Sequence, residues 1–225
     1  MRRRAAILPI LVLAAVFILA HQSELSAVQD GYVSAAAPSA SYGNADSLSA
    51  ASGGLTSCAP SEVSYLRFDL GGLAEGPVRD AALVLETTYA AGGNSGNLVL
   101  YAAPDTLAGE ATPWQEAALT WSNRPGLAGM ARLASVAVPV SAGAVRLESR
   151  ALAALVNREA SFGGARPGDD VLSLALQIED CTGPNSVVRF ASSEHGDAAA
   201  PALVFSPPLQ HFLPLLRQGY TAPGR

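Results

Sequence analysis

The chain has 225 residues, of which 49% are hydrophobic and 15% charged. This composition excludes an intrinsically disordered chain, and the lack of a Gly-X-Y or heptad period excludes collagen and coiled coil. Every basic residue is an arginine, and 14 bases against 19 acids leave a net charge of -5, which does not suit a nucleic-acid partner.

The N-terminus has the pattern of a secretory signal. Three arginines, Arg2 to Arg4, precede the uncharged apolar run 5–20, which is short for a membrane span. We predict a signal peptide over 1–27, cleaved after Ala27, and a secreted, extracellular protein that could be retained at the cell surface. An uncleaved signal anchor is the alternative, and it is the one membrane contact that the sequence suggests.

Two cysteines, Cys58 and Cys181, lie outside this leader. Because an exported chain meets an oxidising compartment, we expect one disulfide between them, with two buried free thiols as the alternative. The cysteines and histidines are too few and too scattered for a zinc site of recognisable spacing, and no cofactor is expected. A structural calcium ion is compatible with a secreted sandwich, although no Asp-rich ligand motif indicates one.

The central part of the chain has the pattern of short strands separated by turns. Over 63–70, the apolar residues Leu66, Phe68 and Leu70 alternate with residues of the opposite face, as in a half-buried strand. The Gly- and Asn-rich stretch 92–96 predicts a tight connection. Further strands are predicted over 81–89, 97–102, 132–138, 171–178, 186–192 and 202–206.

Residues 150–157 break the strand pattern, because Leu152, Leu155 and Val156 stand at helical spacing after Ser149, a good N-cap residue. We predict one short helix that crosses a sheet edge. The fold class is therefore all-β, a jelly-roll β-sandwich with one crossing helix, formed by a single domain over 30–206. The apolar tail 207–225 begins with a Pro-Pro break and is a docking tail, a surface-retention signal or a flexible end.

Five blocks carry a resemblance to a known family. In chain order they are Asp30-Gly31-Tyr32-Val33-Ser34, Ser41-Tyr42-Gly43, Ser64-Tyr65-Leu66-Arg67-Phe68-Asp69-Leu70, Leu119-Thr120-Trp121-Ser122-Asn123-Arg124-Pro125 and Val188-Arg189-Phe190-Ala191-Ser192-Ser193-Glu194. Together they resemble the DNRLRE domains, also classed as carbohydrate-binding module family 96. The resemblance implies a secreted or cell-surface jelly-roll module, and its best characterised members imply binding of acidic polysaccharides such as alginate.

The chain departs from the family pattern in two respects. The family usually carries a Trp in the crossing helix, after an Asp-Val-Thr-like turn, whereas here Leu147-Glu148-Ser149-Arg150 leads into a helix without Trp. The chain also lacks lysine, so a site for an anionic sugar would be formed by arginine alone.

The two tryptophans are the candidate platforms for a sugar ring, because a pyranose presents an apolar C–H face that packs on an aromatic surface. Trp121 lies in the fourth block, where a core position is the alternative. Trp114 follows Pro113 in a loop-like stretch, where an exposed and a buried position are both open.

Three arginines are candidates for binding carboxylate or hydroxyl groups. Arg124 could pair a carboxylate in bidentate fashion, or it could hold the turn before Pro125. Arg67 and Arg189 have outward phase on predicted strands and would form a basic strip if those strands were neighbours. The alternative is that Asp69 and Glu194 pair with them as solvated surface charges.

An enzyme is the least favoured function. Ser193, Glu194 and His195 are close in sequence, but adjacent residues point in different directions, and no Gly-X-Ser-X-Gly elbow occurs. We predict a noncatalytic polysaccharide-binding module whose ligand could contain uronate. The alternative is a structural surface or matrix module that binds no sugar.

Overall fold

The computed structural model describes residues 23–206, except 54–57, 74–75, 92, 112, 166 and 184. Most of the predicted signal peptide and the whole of the predicted tail 207–225 lie outside the described residues. Among the helices described, none has the length and apolar character needed to span a bilayer.

Eleven strands and one helix form the described part of the chain. They are β1 (Ser23–Ser26), β2 (Gln29–Ser34), β3 (Ser47–Gly53), β4 (Ala59–Asp69), β5 (Asp80–Ala90), β6 (Asn97–Ala102), β7 (Arg132–Ala137), β8 (Gly143–Ser149), α1 (Arg150–Glu159), β9 (Val171–Glu179), β10 (Val187–Ala191) and β11 (Ala202–Ser206). The seven strands predicted by alternation are all confirmed. The sequence patterns missed β1, β2, β3 and β8, which are rich in small and polar residues.

All strand pairs are antiparallel, and the sheet curls on itself into an all-β sandwich, as predicted. Its hydrogen-bonded order is β1-β11-β5-β10-β3-β4-β9-β6-β7, with β2 paired to β4 and β8 paired to β5. Strand β4 connects the part of the sheet that runs from β1 to β3 with the part that runs from β9 to β7. Its first residues pair with β3, and its residues from Ser64 onward pair with β9.

The inner core is formed by the side chains that the strands direct between the two layers. Alternate residues of the central strands are fully buried there; from β4 and β9 these are Leu66, Phe68, Leu172, Leu174, Leu176 and Ile178. Full burial of a Leu or Phe side chain contributes about 1.5–3 kcal/mol each, so this cluster supplies most of the apolar driving force.

Helix α1 covers one end of the core, as its spacing predicts. Its N-cap is Ser149, whose hydroxyl accepts a hydrogen bond from the Leu152 N–H at 3.0 Å. Leu152 and Val156 are buried in the core, and the Asn157 amide bonds both the N–H and the carbonyl of Val78. The helix is thereby attached to the segment that leads into β5.

A second apolar cluster lies on the opposite face of the sheet. The segment 103–131, which connects β6 to β7 and which we call the covering segment, packs Leu107, Trp114 and Leu119 against that face. The strands contribute Val33, Val63, Tyr65, Val99, Tyr101 and Ala175. Because this face is covered, β4, β6 and β9 bury apolar residues on both sides.

The predicted disulfide is confirmed. Cys58 precedes β4 and Cys181 follows β9, and their Cα atoms lie 5.4 Å apart, within the usual range for a bridge. The neighbouring Gly96 has a φ of +91°, and a Cβ there would lie 2.3 Å from the Glu179 carbonyl oxygen. Only glycine fits this approach of β6 to β9.

The first described strand overlaps the predicted signal peptide. Residues Ser23 to Ser26 pair with Phe205 to Ala202 of β11, and Ala27 is buried in the core. Cleavage after Ala27 would therefore remove an edge strand from the sheet, and that position stays a prediction.

Candidate functional site

A row of side chains crosses the covered face of the sheet because of strand register. Tyr65 of β4 and Tyr101 of β6 both pair with Ala175 of β9, and Tyr101 also pairs with Arg132 of β7. Since alternate residues of a strand share a face, Gln177 stands beside Ala175 on the same side. Residues from four strands thus converge at the margin of the covering segment.

A cleft of about 690 Å³ opens at this margin. The strand residues that line it include Tyr65, Tyr101, Arg132 and Gln177, and the covering segment contributes Trp121, Arg124 and residues 126–130. The cleft therefore combines aromatic and apolar surface with two guanidinium groups and a primary amide. This mixture is typical of small-molecule and sugar sites, where apolar contact supplies affinity and polar groups fix orientation.

The fourth sequence block forms the tight turn that positions Trp121 and Arg124. The Asn123 carboxamide oxygen accepts hydrogen bonds from the N–H and the hydroxyl of Thr120, both at 2.8 Å. The Pro125 carbonyl accepts a hydrogen bond from the buried Tyr65 hydroxyl at 2.7 Å. The turn is thereby fixed internally and attached to β4.

Trp121 and Arg124 form a stacked pair on one wall of the cleft. The guanidinium carbon of Arg124 lies 3.7 Å from the Trp121 ring centroid, and its Nη1 donates to the Trp121 carbonyl. Both side chains are half-buried. The arginine thus holds the turn, as one of the two interpretations predicted, and it also presents its charge in the cleft.

Glu179 lies behind the wall that the strand residues form and contacts three groups that line the cleft. Its carboxylate accepts hydrogen bonds from the Tyr101 hydroxyl and, at 2.6 Å, from the Gln177 amide, and it lies 3.4 Å from Nη2 of Arg132. Burial, with a smaller contribution from Glu179, raises the pKa of Tyr101 to about 12. Tyr101 therefore remains a protonated donor to the Glu179 carboxylate.

A comparison with known protein families supports the resemblance that the five sequence blocks carry. The sequence profile of carbohydrate-binding module family 96 matches residues 21–206. The chain belongs to this family. The match extends from β1 to β11 and includes the covering segment, and membership indicates a carbohydrate-binding module. No curated protein matched the chain.

In this family 96 module, Trp114 is not a surface platform. The side chain is fully buried beneath the covering segment, at 6.3 Å from the Tyr65 ring and with its indole N–H 3.2 Å from the Ser173 hydroxyl. The exposed position considered for Trp114 is therefore wrong. The ring fills the centre of the outer cluster because the covering segment folds inward around it.

Arg67 holds the covering segment in place. Its Nη1 donates to the Trp114 carbonyl at 2.6 Å, and its guanidinium carbon lies 5.7 Å from the Trp114 ring centroid. The same Nη1 also donates to Gln29 Oε1 of β2 at 3.4 Å. Its described contacts are therefore with this segment and with β2, whereas the sequence had suggested a ligand or Asp69.

Arg189 lies on a different part of the surface. It is exposed on β10, opposite Tyr89 of β5, with its guanidinium carbon 5.7 Å from the Tyr89 ring centroid. Strand β3 lies between β10 and β4, so Arg189 and Arg67 are not on neighbouring strands. The condition for a continuous basic strip is not met.

A buried carboxyl group joins the first and fifth family blocks at another point. Asp30 is fully buried; its Oδ2 accepts the Ser193 N–H at 2.9 Å, and its own N–H donates to Glu116 of the covering segment at 3.2 Å. The other oxygen, Oδ1, has no hydrogen-bond partner among the described residues. Burial raises the pKa of Asp30 to about 7, with smaller contributions from Glu194 and Glu116.

The residues considered for catalysis do not form a nucleophile and base pair. The Ser193 hydroxyl donates to Glu194 at 2.9 Å, and His195 Nδ1 accepts the backbone N–H of Ala198 at 3.0 Å. In the part of the chain that the structure describes, no three Asp, Glu, His or Cys side chains stand at the spacing of a metal site.

The sequence patterns missed Tyr101, Arg132, Gln177 and Glu179 as cleft residues. Each lies in or at the end of a predicted strand, but the register that brings β9, β6 and β7 together is not visible in any one segment. The polar residues at 177 and 179, at the end of an otherwise apolar strand, were the available signal.

Proposed function

We propose that this family 96 module is an exported, noncatalytic polysaccharide-binding protein that takes its ligand in the cleft beside the covering segment. The observation that carries the proposal is the Trp121–Arg124 stack in a cleft that Tyr101, Gln177 and Arg132 also line. The disulfide supports an extracellular location. The leader in this proposal is the predicted signal peptide over 1–27, and a cleavage site before Ser23 would leave β1 in the sheet.

The stacked pair suggests how a sugar would be held. Arg124 covers one face of Trp121, so a ligand would contact the edge of the indole together with the guanidinium group. A guanidinium has five N–H donors, which suit ring hydroxyls and a uronate carboxylate. Arg124 and Arg132 in one cleft therefore support a uronate-containing polysaccharide as the ligand, in a protein whose net charge is negative.

Two substitutions test the location of the site. We expect Trp121→Ala and Arg124→Ala each to weaken binding about tenfold or more, because each removes one half of the stack. The measurement is a glycan array of the full chain, with uronate polymers and neutral glucans at low and high salt, followed by titration calorimetry on any positive sugar. Binding to uronates that fades with salt would support the arginines as the contact.

A second arginine–aromatic pair supplies the matched control. Arg189→Ala and Tyr89→Ala remove the same chemistry from the exposed face of β10 and β5, away from the cleft, and should leave affinity unchanged. If they reduce binding and the cleft variants do not, the site lies elsewhere. If the folded wild type binds no glycan, the chain is a structural surface module, which the burial of Trp114 would also allow.

A further inference from the structure

Resting on the proposed function, we infer that Glu179 is a positioning residue that sets the charge preference of the cleft. It lies just behind the wall and holds Tyr101, Gln177 and Arg132 through one carboxylate. No acidic side chain stands among the described residues that line the cleft itself. The preference between sparsely and densely charged chains is thus governed by a residue that lies behind the wall of the cleft.

The contacts of Glu179 are those that a ligand carboxylate would compete for. A uronate entering the cleft needs N–H and O–H donors, and Arg132, Gln177 and Tyr101 are the donors on this wall. Each already donates to, or is ion-paired with, Glu179. Glu179 therefore acts as an internal carboxylate that partly neutralises Arg132.

The consequence for specificity follows from charge. Arg124, which the covering segment contributes, is stacked on Trp121 and has no acidic partner in its described contacts. Arg132, in contrast, is paired with Glu179. A densely charged polyuronate would place several carboxylates near Glu179 and be repelled. We expect the wild-type cleft to favour chains that carry isolated uronate residues over fully charged uronate polymers.

The position of Glu179 is rigid enough for this role. It is the last residue of β9, it pairs with Asn97 of β6, and its carbonyl oxygen lies against Gly96. The disulfide at Cys181 follows two residues later. The carboxylate therefore cannot retreat from the cleft by movement of the backbone.

The test is the ratio of affinities for a uronate oligomer and a neutral oligomer. Glu179→Gln keeps the shape and an acceptor oxygen but removes the charge, and it should raise affinity for oligomannuronate roughly three- to tenfold at low salt. Affinity for a neutral β-glucan oligomer should change less than twofold, and the gain should fade at high salt. Titration calorimetry on the full chain measures both.

Three further variants separate charge from structure. Glu179→Asp retains the charge and should keep the wild-type ratio. Glu148→Gln removes the same charge from an exposed pair with Arg146 on β8, and should not change the ratio. Arg132→Gln in the Glu179→Gln background should abolish the gain, since Arg132 is the group that the substitution releases.

The outcomes distinguish this inference from the proposed function. If Trp121→Ala abolishes binding but Glu179→Gln leaves the ratio unchanged, the cleft is the site and the role of Glu179 is overturned. If Glu179→Asp shifts the ratio as much as Glu179→Gln, geometry and not charge is responsible, and the inference is again wrong. If neither wild type nor any variant binds a glycan while the melting temperatures stay normal, the proposed function itself fails.

Discussion

The two apolar clusters of this protein lie on opposite faces of the same strands, but they are held together differently. The inner core is formed by strand side chains with helix α1 over one end, and its residues are almost all aliphatic or Phe. The outer cluster contains Trp114 and two tyrosines, and polar bonds attach it to the sheet. The inner core therefore supplies stability, while the outer cluster supplies the geometry of the cleft.

This difference follows from the kind of segment that forms each cluster: regular strands form the inner core, and the covering segment forms much of the outer cluster. Many strands place every second residue in the inner core. The loss of one contact there lowers stability, but the neighbouring strands keep the backbone in place. The covering segment has little regular structure, and specific anchors such as Tyr65 to Pro125 and Arg67 to Trp114 fix its path. A substitution in the core should thus change stability alone, and one in the anchors should change stability and binding together.

The largest expected effect is in the core. Leu174→Ala removes a fully buried side chain of β9 and should lower the free energy of unfolding by about 2–5 kcal/mol, because a cavity replaces packed atoms. Denaturant titration measures the loss, and Val140→Ala, at an exposed site, is the control. Glycan affinity of the folded fraction should stay at the wild-type value. A weakened affinity would contradict the separation of the two clusters.

A pH-dependent effect is expected where the covering segment meets Asp30. The folded-state pKa of Asp30 is about 7, above its ordinary value of 3.8, so folding favours the protonated form. Its contribution to stability is fully present below about pH 4 and is lost as pH rises through 7. Asp30→Asn mimics the protonated carboxyl, so its stability relative to wild type should rise with pH, by on the order of 3 kcal/mol.

Unfolding free energies of wild type and Asp30→Asn at several pH values between 4 and about 8.5 measure this effect. Asp69→Asn is a suitable control, because that carboxylate is exposed and bonds only its own turn at Gly71 in the contacts described. Parallel curves for wild type and Asp30→Asn would show that Asp30 does not titrate in this range.

The smallest of these effects is expected for the anchor at Tyr65. Tyr65→Phe leaves the Pro125 carbonyl without its hydroxyl partner and should cost about 1–3 kcal/mol. Because the Pro125 turn carries Arg124, glycan affinity should fall in the same variant. Tyr89→Phe, at a half-exposed site, is the matched control. A stability loss with unchanged affinity would mean that the cleft does not depend on this anchor.

Local patterns predicted much of the fold but little of the cleft. Alternation identified β4, β5, β6, β7, β9, β10 and β11, and helical spacing with Ser149 identified α1, because each of these signals lies within one short segment. Strand β3 was missed because the sequence Ser47 to Gly53 consists of Ser, Ala, Leu and Gly, which show no alternation even though its centre is buried. Trp121 and Arg124 were found through the family block that contains them.

What the sequence by itself determined is the class of protein: an all-β module of family 96 with one disulfide and one crossing helix, since strand period, cysteine number and family blocks are local properties. Only the tertiary structure decided that Trp114 is buried, that Arg67 is an anchor, and that Arg132 lines the cleft with Glu179 behind it. The physical reason is that these outcomes depend on register between strands distant in sequence and on the path of the covering segment.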